Sequence, residues 1–367
     1  MLETFLTEEK ACAEPPERTT VEDGDEKEAE ASASAQTAET AKVQRAVSKK
    51  RKPVDPEEDS VPPPPPTEPT EYALNRPRRD MTQASTYRNA SQSLALVPCC
   101  RFLGCAGSGL AQAQPFKVEM DPSVAVLMDL HAHMCSNEVI GLLGGHFDAA
   151  SRTILVQKVF PGRGKASGRD VEMDPVAEVE MRAEIAAAEM KVVGWYHSHP
   201  VFEPNPSHVD IDNQINYQSL FRDSDSGLEP FIAFIIGPYD LRLPTQESRL
   251  QTFYVQNRAG AAEPTPLQID YTTSKVPLDD EVAASACKLV DSQAKVERRV
   301  SPTELWRPFT TLTNGVPSGG PLTKLAKMRA SLRSHLTRAD MDAKDAEELL
   351  DQIAKHMQNS WKVDLGY

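Results

Sequence analysis

Val192 to Tyr196 reads as a buried strand, and the residues leaving its end are His197-Ser198-His199-Pro200. A helix then begins near Ser207 and carries Asp210 close to its start. In a strand, residues i and i+2 project from the same face. His197 and His199 therefore both offer imidazole nitrogens to one point in space, and Asp210 adds a carboxylate oxygen. Two histidines and one carboxylate with an open fourth position form the donor set of a catalytic zinc; a structural zinc is normally closed by four protein ligands. One catalytic zinc ion is the cofactor expected. The chain carries its own control in a second His-x-His, His131-Ala132-His133. Asp121-Pro122 is a good helix start, and Val124, Leu127, Met128, His131 and Met134 follow at helical spacing. On a helix, i and i+2 point about 200° apart, so His131 and His133 are expected at packing or surface positions rather than on an ion.

Zinc lowers the pKa of bound water towards ~7 but still needs a proton acceptor. Glu138 is the candidate, a lone carboxylate opening the apolar run Glu-Val-Ile-Gly-Leu-Leu. The alternative is a strand-end acid facing solvent. Ser207, after Pro206, suits a helix N-cap and equally a hydroxyl aimed at a developing oxyanion; one residue could do both.

Around this centre the pattern is α/β (α+β). Glu138–Leu143, closed by Gly144-Gly145, and Thr153–Phe160, Val192–Tyr196, Pro230–Ile236 and Leu250–Val255 read as strands. Pro122–Met134, Pro175 to about Met190 and Ser207 to about Phe221 read as helices, and 161–173 as a polar, Gly-rich loop. Strands and helices mix without strict alternation, which predicts a curled mixed sheet flanked by helices. From ~261 the strand signal fades, and Asp279–Val300 and Leu322–Met357 read as amphipathic helical segments. The expected organisation is a tail over 1–114, a domain over 115–260 and a C-terminal helical region over 261–367.

The tail is expected to be disordered. It holds an acidic run from Glu22 to Glu30, an Ala/Ser/Thr/Glu tract, five prolines from Pro62 to Pro66 and few aromatics, so little apolar surface offsets chain entropy. The proline run is expected to act as an extended spacer. Within the tail, Lys49-Lys50-Arg51-Lys52-Pro53 has the form of a nuclear-localisation segment. A solvated charge run is its alternative reading.

Charge and cysteine content exclude other classes. The 54 acidic residues outnumber the 40 Lys and Arg, giving a net charge of −14, which argues against a whole-chain nucleic-acid binder. Six irregularly spaced cysteines form neither a disulfide framework nor a thiolate zinc site and are expected to be reduced. Leu94 to Leu110, broken by Pro98, Arg101 and glycines, is too short for a membrane span, which needs about 20 largely apolar residues. A soluble, intracellular protein is expected.

The ordered set Glu138, then His197-Ser198-His199-Pro200, Ser207 and Asp210 resembles the MPN/JAMM family of metallo-isopeptidases. The flanking text, Val-Val-Gly-Trp-Tyr-His-Ser-His-Pro and Pro-Asn-Pro-Ser-x-x-Asp-Ile-Asp-x-Gln, is most similar to the subfamily that includes histone-directed members with Myb-like and SWIRM modules. The resemblance covers ~115–260. It implies the MPN/JAMM fold, zinc ligation by His197, His199 and Asp210, general base and acid work by Glu138, and oxyanion stabilisation by Ser207. It implies cleavage of the isopeptide bond after ubiquitin's terminal glycine in ubiquitin conjugates, with loop 161–176 flanking ubiquitin's tail. Ubiquitinated histone 2A, reached in the nucleus through a partner, is the substrate it suggests. A polyubiquitin-chain-specific isopeptidase and a non-catalytic ubiquitin-binding scaffold are the alternatives. No Myb-like or SWIRM module is recognisable.

Overall fold

The structure, a computed structural model, describes residues 95–366 apart from 167–170, 258–262, 276 and 279. The proline run, the basic cluster 49–53 and the disorder expected before residue 95 lie outside the described residues. In chain order, β1 (Cys100–Arg101) and β2 (Lys117–Met120) precede α1 (Pro122–Met134). β3 (Ile140–Asp148), β4 (Thr153–Gly162) and a hairpin of β5 (Gly164–Ala166) and β6 (Val171–Met173) lead to α2 (Pro175–Ala187). β7 (Lys191–Ser198) is followed by α3 (His208–Leu220), then β8 (Ile232–Gly237), β9 (Arg249–Gln256), β10 (Thr265–Gln268) and β11 (Thr272–Thr273). The C-terminal part holds α4 (Asp280–Gln293), the short strands β12 (Leu305–Arg307), β13 (Thr311–Thr313), β14 (Val316–Ser318) and β15 (Leu322–Thr323), and helices α5 (Lys324–Arg338) and α6 (Ala343–Trp361).

Nine strands form one curled mixed sheet in the order β1-β10-β9-β8-β7-β3-β4-β2-β11. β7 lies near its middle, antiparallel to β3 and parallel to β8. Both faces are covered, and β8 shows why it is apolar throughout. Ile232, Phe234 and Ile236 join a core completed by α1, α4, α5 and α6. Ala233 and Ile235 join a second core beneath α2 and α3. A strand covered on both faces has no position left for a polar residue.

The side-chain phase of β7 is set by a bulge. Leu143 pairs with Gly194, but Gly144 pairs with Val192, so Val193 is an extra residue on β7. Val193 and Trp195 would otherwise share a face. Instead Val193 and Tyr196 belong to the first core, and Trp195 to the second with α3. His197 thus emerges two residues beyond Trp195, on the side from which α3 approaches. A companion irregularity between Gly144 and Gly145 bulges β4 opposite. Glycine is required there by close approach: a Cβ on Gly145 would stand 1.8 Å from the carbonyl oxygen of Leu155.

Several expectations need adjustment. The strand expected from Glu138 starts at Ile140, and the bulge carries it through Gly144-Gly145 to Asp148 instead of ending there. The expected loop 161–173 contains the β5–β6 hairpin. Structure begins before Phe116: β1 pairs with β10, and Gln114 donates to the carbonyls of Phe116 and Asp270, so residues 95–114 are not part of a disordered tail. Beyond 260, β10 and β11 extend both sides of the sheet, and the core does not stop. Val282, Leu289, Leu332, Leu336, Leu350 and Met357 share one apolar cluster with Phe116 and Phe234. The amphipathic faces of α4, α5 and α6 bury against α1 and against one another. The helical segment expected over Leu322–Met357 holds two helices, separated near Asp340, which has a positive φ of 56°. No helix among the described residues is long and apolar enough to cross a membrane.

Candidate metal centre

β7 delivers His197 one residue before the strand ends, and His199 follows with its backbone N–H donated to the Ile236 carbonyl. Asp210 sits in the first turn of α3. The three converge: His197 Nε2 lies 3.2 Å from His199 Nε2 and 3.4 Å from Asp210 Oδ1, with His199 Nε2 3.9 Å from Asp210 Oδ2. They are the one group of at least three His, Cys, Asp or Glu ligands among the described residues close enough to share an ion. Ligands on a tetrahedral zinc at ~2.05 Å would stand about 3.3 Å apart, which matches the spacing.

The donor chemistry fits a cation as well. His199 Nδ1–H donates to the Glu203 carbonyl at 2.8 Å, which leaves a lone pair on Nε2 facing inward. The second imidazole nitrogen then meets that lone pair and a carboxylate in a buried space, an arrangement that only a proton or a metal resolves. Without an ion the balance falls on His197. Burial lowers its pKa, but the Asp210 charge, the Asp210 hydrogen bond and the Glu138 charge outweigh burial and raise it. His199 is held down to about 4 by burial and by His197. Burial pushes Asp210 up, but the two histidines and the Ser207 hydroxyl more than reverse this, leaving the carboxylate ionised.

Ser207 is the N-cap of α3 in a reciprocal capping box with Asp210. Its backbone N–H and its hydroxyl both reach Asp210 Oδ2 at 2.7 Å. That oxygen is thereby fully engaged, and Oδ1 is the one turned to His197. Glu138 is buried rather than solvent-facing, and its charge acts on His197. His197, His199, Asp210 and Ser207 thus meet at one place, with Glu138 buried within electrostatic reach of His197.

Three supporting contacts were not legible in the sequence. Ser198, between the histidines, is completely buried; its N–H donates to the Val139 carbonyl and its hydroxyl accepts from the Val139 N–H, both at 3.0 Å. This two-point clasp holds the segment bearing Glu138 beside the metal ligands. Trp195 stacks on His197 with centroids 4.8 Å apart at 18°, and its Nε1–H donates to Gln214 of α3. Phe202 covers His199 at 4.4 Å. The two-residue period of a strand gave the direction of His197 and His199, but not these partners. His131 and His133 are both fully buried and lie apart from this group. His131 Nδ1 meets the Tyr196 hydroxyl at 2.7 Å, and His133 meets Asp129 and Lys327.

The JAB1/Mov34/MPN/PAD-1 ubiquitin protease family matches residues 115–222. The chain is 28% identical to the Xenopus laevis histone 2A deubiquitinase MYSM1 over 76% of its own length and 32% of that protein. It is 35% identical to the Homo sapiens deubiquitinase MYSM1 over 48% of its length and 20% of the relative, and 29% identical to a Danio rerio MPN domain-containing protein over 68% and 52%. The chain therefore spans a third or less of the two deubiquitinases and about half of the zebrafish protein. Residues 115–222 thus match the JAB1/Mov34/MPN/PAD-1 domain model, and the chain is homologous to MYSM1 and to the MPN domain-containing proteins over the parts of their length given above.

Proposed function

We propose that this protein is a zinc-dependent isopeptidase that hydrolyses the bond after the C-terminal glycine of ubiquitin in ubiquitin conjugates. The observation that carries the reading is the convergence of His197 Nε2, His199 Nε2 and Asp210 Oδ1 beside a buried glutamate. These three residues would hold a zinc ion, which would supply Lewis acidity and acidify water at the site. Glu138 takes the proton of the attacking water and returns it to the departing lysine amine, as general base and then acid. Ser207 keeps Asp210 fixed through its backbone N–H, while its hydroxyl swings from Asp210 Oδ2 to donate to the oxyanion. Trp195 and Phe202 wall the two imidazoles and exclude water. The β5–β6 hairpin and the segment to 176 flank the extended ubiquitin tail, which adds to a strand edge.

The relatives named as histone 2A deubiquitinases make ubiquitinated histone 2A the favoured substrate and the nucleus, through the basic cluster 49–53, the favoured location. A net charge of −14 opposes direct contact with nucleosomal DNA, so a partner protein supplies targeting. The test combines metal analysis of the purified chain with cleavage of ubiquitin chains of each linkage and of ubiquitinated nucleosomes at matched salt. The expected result is one zinc per chain and cleavage that ceases in Asp210→Ala. Absence of bound zinc, or cleavage surviving that change, overturns the isopeptidase reading. Cleavage of one chain linkage with nucleosomes untouched moves the substrate to polyubiquitin.

A further inference from the structure

Before it reaches the sheet, the N-terminal part of the described chain runs past the metal centre. Leu96 forms an antiparallel bridge with Ser207, and the Val97 N–H donates to the Pro206 carbonyl at 2.8 Å. Val97 and Cys99 pack against the apolar layer beneath α2 and α3. Cys100 and Arg101 then pair in parallel with Leu267 and Gln268 at the sheet edge. The local sequence explains this path. A residue before proline is pushed toward extended backbone, which suits Val97. Pro98 has no N–H to continue the pairing, so the chain leaves the Pro206-Ser207 segment and crosses to β10.

The segment so clasped is the one that sets the carboxylate. Ser207 follows Pro206 directly, caps α3 and holds Asp210 Oδ2 through two 2.7 Å bonds. Asp210 Oδ1 in turn faces His197 Nε2 at 3.4 Å. One hydrogen bond from Val97 therefore lies at the head of a short series of contacts ending on a metal ligand. The strap is anchored independently at its other end by β1, so it resists displacement of Pro206 rather than following it.

We propose that residues 95–101 form a positioning strap in which the Val97 N–H fixes the N-cap of α3 and, through Ser207, the orientation of Asp210 in the metal centre. Its effect on rate rests on the isopeptidase reading; its effect on the N-cap does not. The experiment compares Val97→Pro, which removes the N–H, with Val97→Ala, which keeps it, in the full chain. In metal-free protein, amide exchange at 208–211 is expected to quicken about fivefold or more in Val97→Pro, the scale of a weakened cap, while Leu349–Met357 in α6 exchanges as in wild type. The visible spectrum of the cobalt-substituted protein should change in Val97→Pro alone, since it reports ligand geometry. On ubiquitin conjugates, kcat should fall roughly tenfold or more with KM little altered, as for a misplaced catalytic group.

Val97→Ala, which loses only side-chain packing, should match wild type in first-turn exchange and in the cobalt spectrum, its cost confined to a lower melting temperature. Val97→Pro matching Val97→Ala in first-turn exchange and in the cobalt spectrum would overturn the proposal. Where Val97→Pro does not fold, a chain beginning at Pro98 is measured in the same way, and failure of that chain to fold makes the strap a folding element and rejects the positioning role. A wild-type chain that cleaves no conjugate defeats the isopeptidase reading, with the exchange and cobalt comparisons still deciding the strap.

Discussion

Glu138, the proposed proton acceptor, is buried, its charge acts on His197, and its neighbour ties it to the histidine segment. Val139 is clasped on two sides by Ser198, which sits between the two histidines, so Glu138 and the histidines are registered by backbone contacts rather than by side chains alone. Glu138→Gln keeps the shape and removes the proton-accepting oxygen. It should retain one zinc per chain and the wild-type melting temperature while losing at least ~10²-fold in kcat; wild-type turnover in a metal-replete sample would assign the base elsewhere. Ser207 caps α3, and its proposed oxyanion role separates from the cap on a different readout. Ser207→Ala should lower stability by about 1 kcal/mol, the worth of a serine N-cap, and kcat by ~10²-fold, the worth of an oxyanion donor. A thermal shift with kcat intact would leave Ser207 a cap only. Which of the two His-x-His pairs converges with a carboxylate was readable because strand and helix periodicities differ, whereas Ser198 was invisible because its partner lies 59 residues away in sequence.

At the scale of elements, the decisive feature is the pair of bulges around Gly144 and Gly145, which re-aims β7 so that Trp195 and His197 face α3. In sequence the two glycines mark the end of a strand, their commonest local meaning; the strand continues because its partners β4 and β7 each accommodate the irregularity. The two positions are not equivalent. A methyl on Gly145 would meet the Leu155 carbonyl oxygen at 1.8 Å, a backbone atom that cannot step aside, whereas on Gly144 it would meet the ring edge of Phe160 at 2.7 Å. Gly145→Ala should therefore cost about 3 kcal/mol or more, beyond the usual range for overpacking, and Gly144→Ala about 1–2. Denaturant unfolding of the two variants checks the order. Equal losses would mean that the sheet relaxes around either methyl and that the bulge is not tightly specified.

On the scale of the whole molecule, the boundary near 260 suggested by the fading strand signal does not divide the core, because the polar anchors of α1 lie in the C-terminal helices. Asp129, fully buried on α1, accepts from the Ser331 hydroxyl at 2.6 Å and from His335 at 3.1 Å, both on α5. His131 accepts from the Gln293 amide of α4 at 3.2 Å and meets the Tyr196 hydroxyl at 2.7 Å. Amphipathic periodicity made these helices legible, but not their destination, since nothing local in a helix names the surface it covers. A fragment spanning 115–260 would leave Asp129 without those partners and strip the apolar cover from α1, so it should show no cooperative thermal transition. The chain from 95 to 367 should melt in one.

The same buried polar layer sets the acid limit of the fold. Burial lowers the His131 pKa to about 3, and both ring nitrogens already have partners in the neutral tautomer. As pH falls below about 6.5 the unfolded chain binds a proton at this position and the folded chain does not. Stability that is complete above pH 6.5 is therefore lost progressively down to about pH 3. His131→Gln abolishes this titration. Between those pH values its stability should fall less steeply than that of wild type, by at most about 1.4 kcal/mol per pH unit for one proton. Both proteins are compared metal-free, so that protonation of His197 and His199 against zinc does not enter the slope. Parallel pH profiles would show that His131 is charged in the fold and that acid sensitivity arises at the Asp129 group instead.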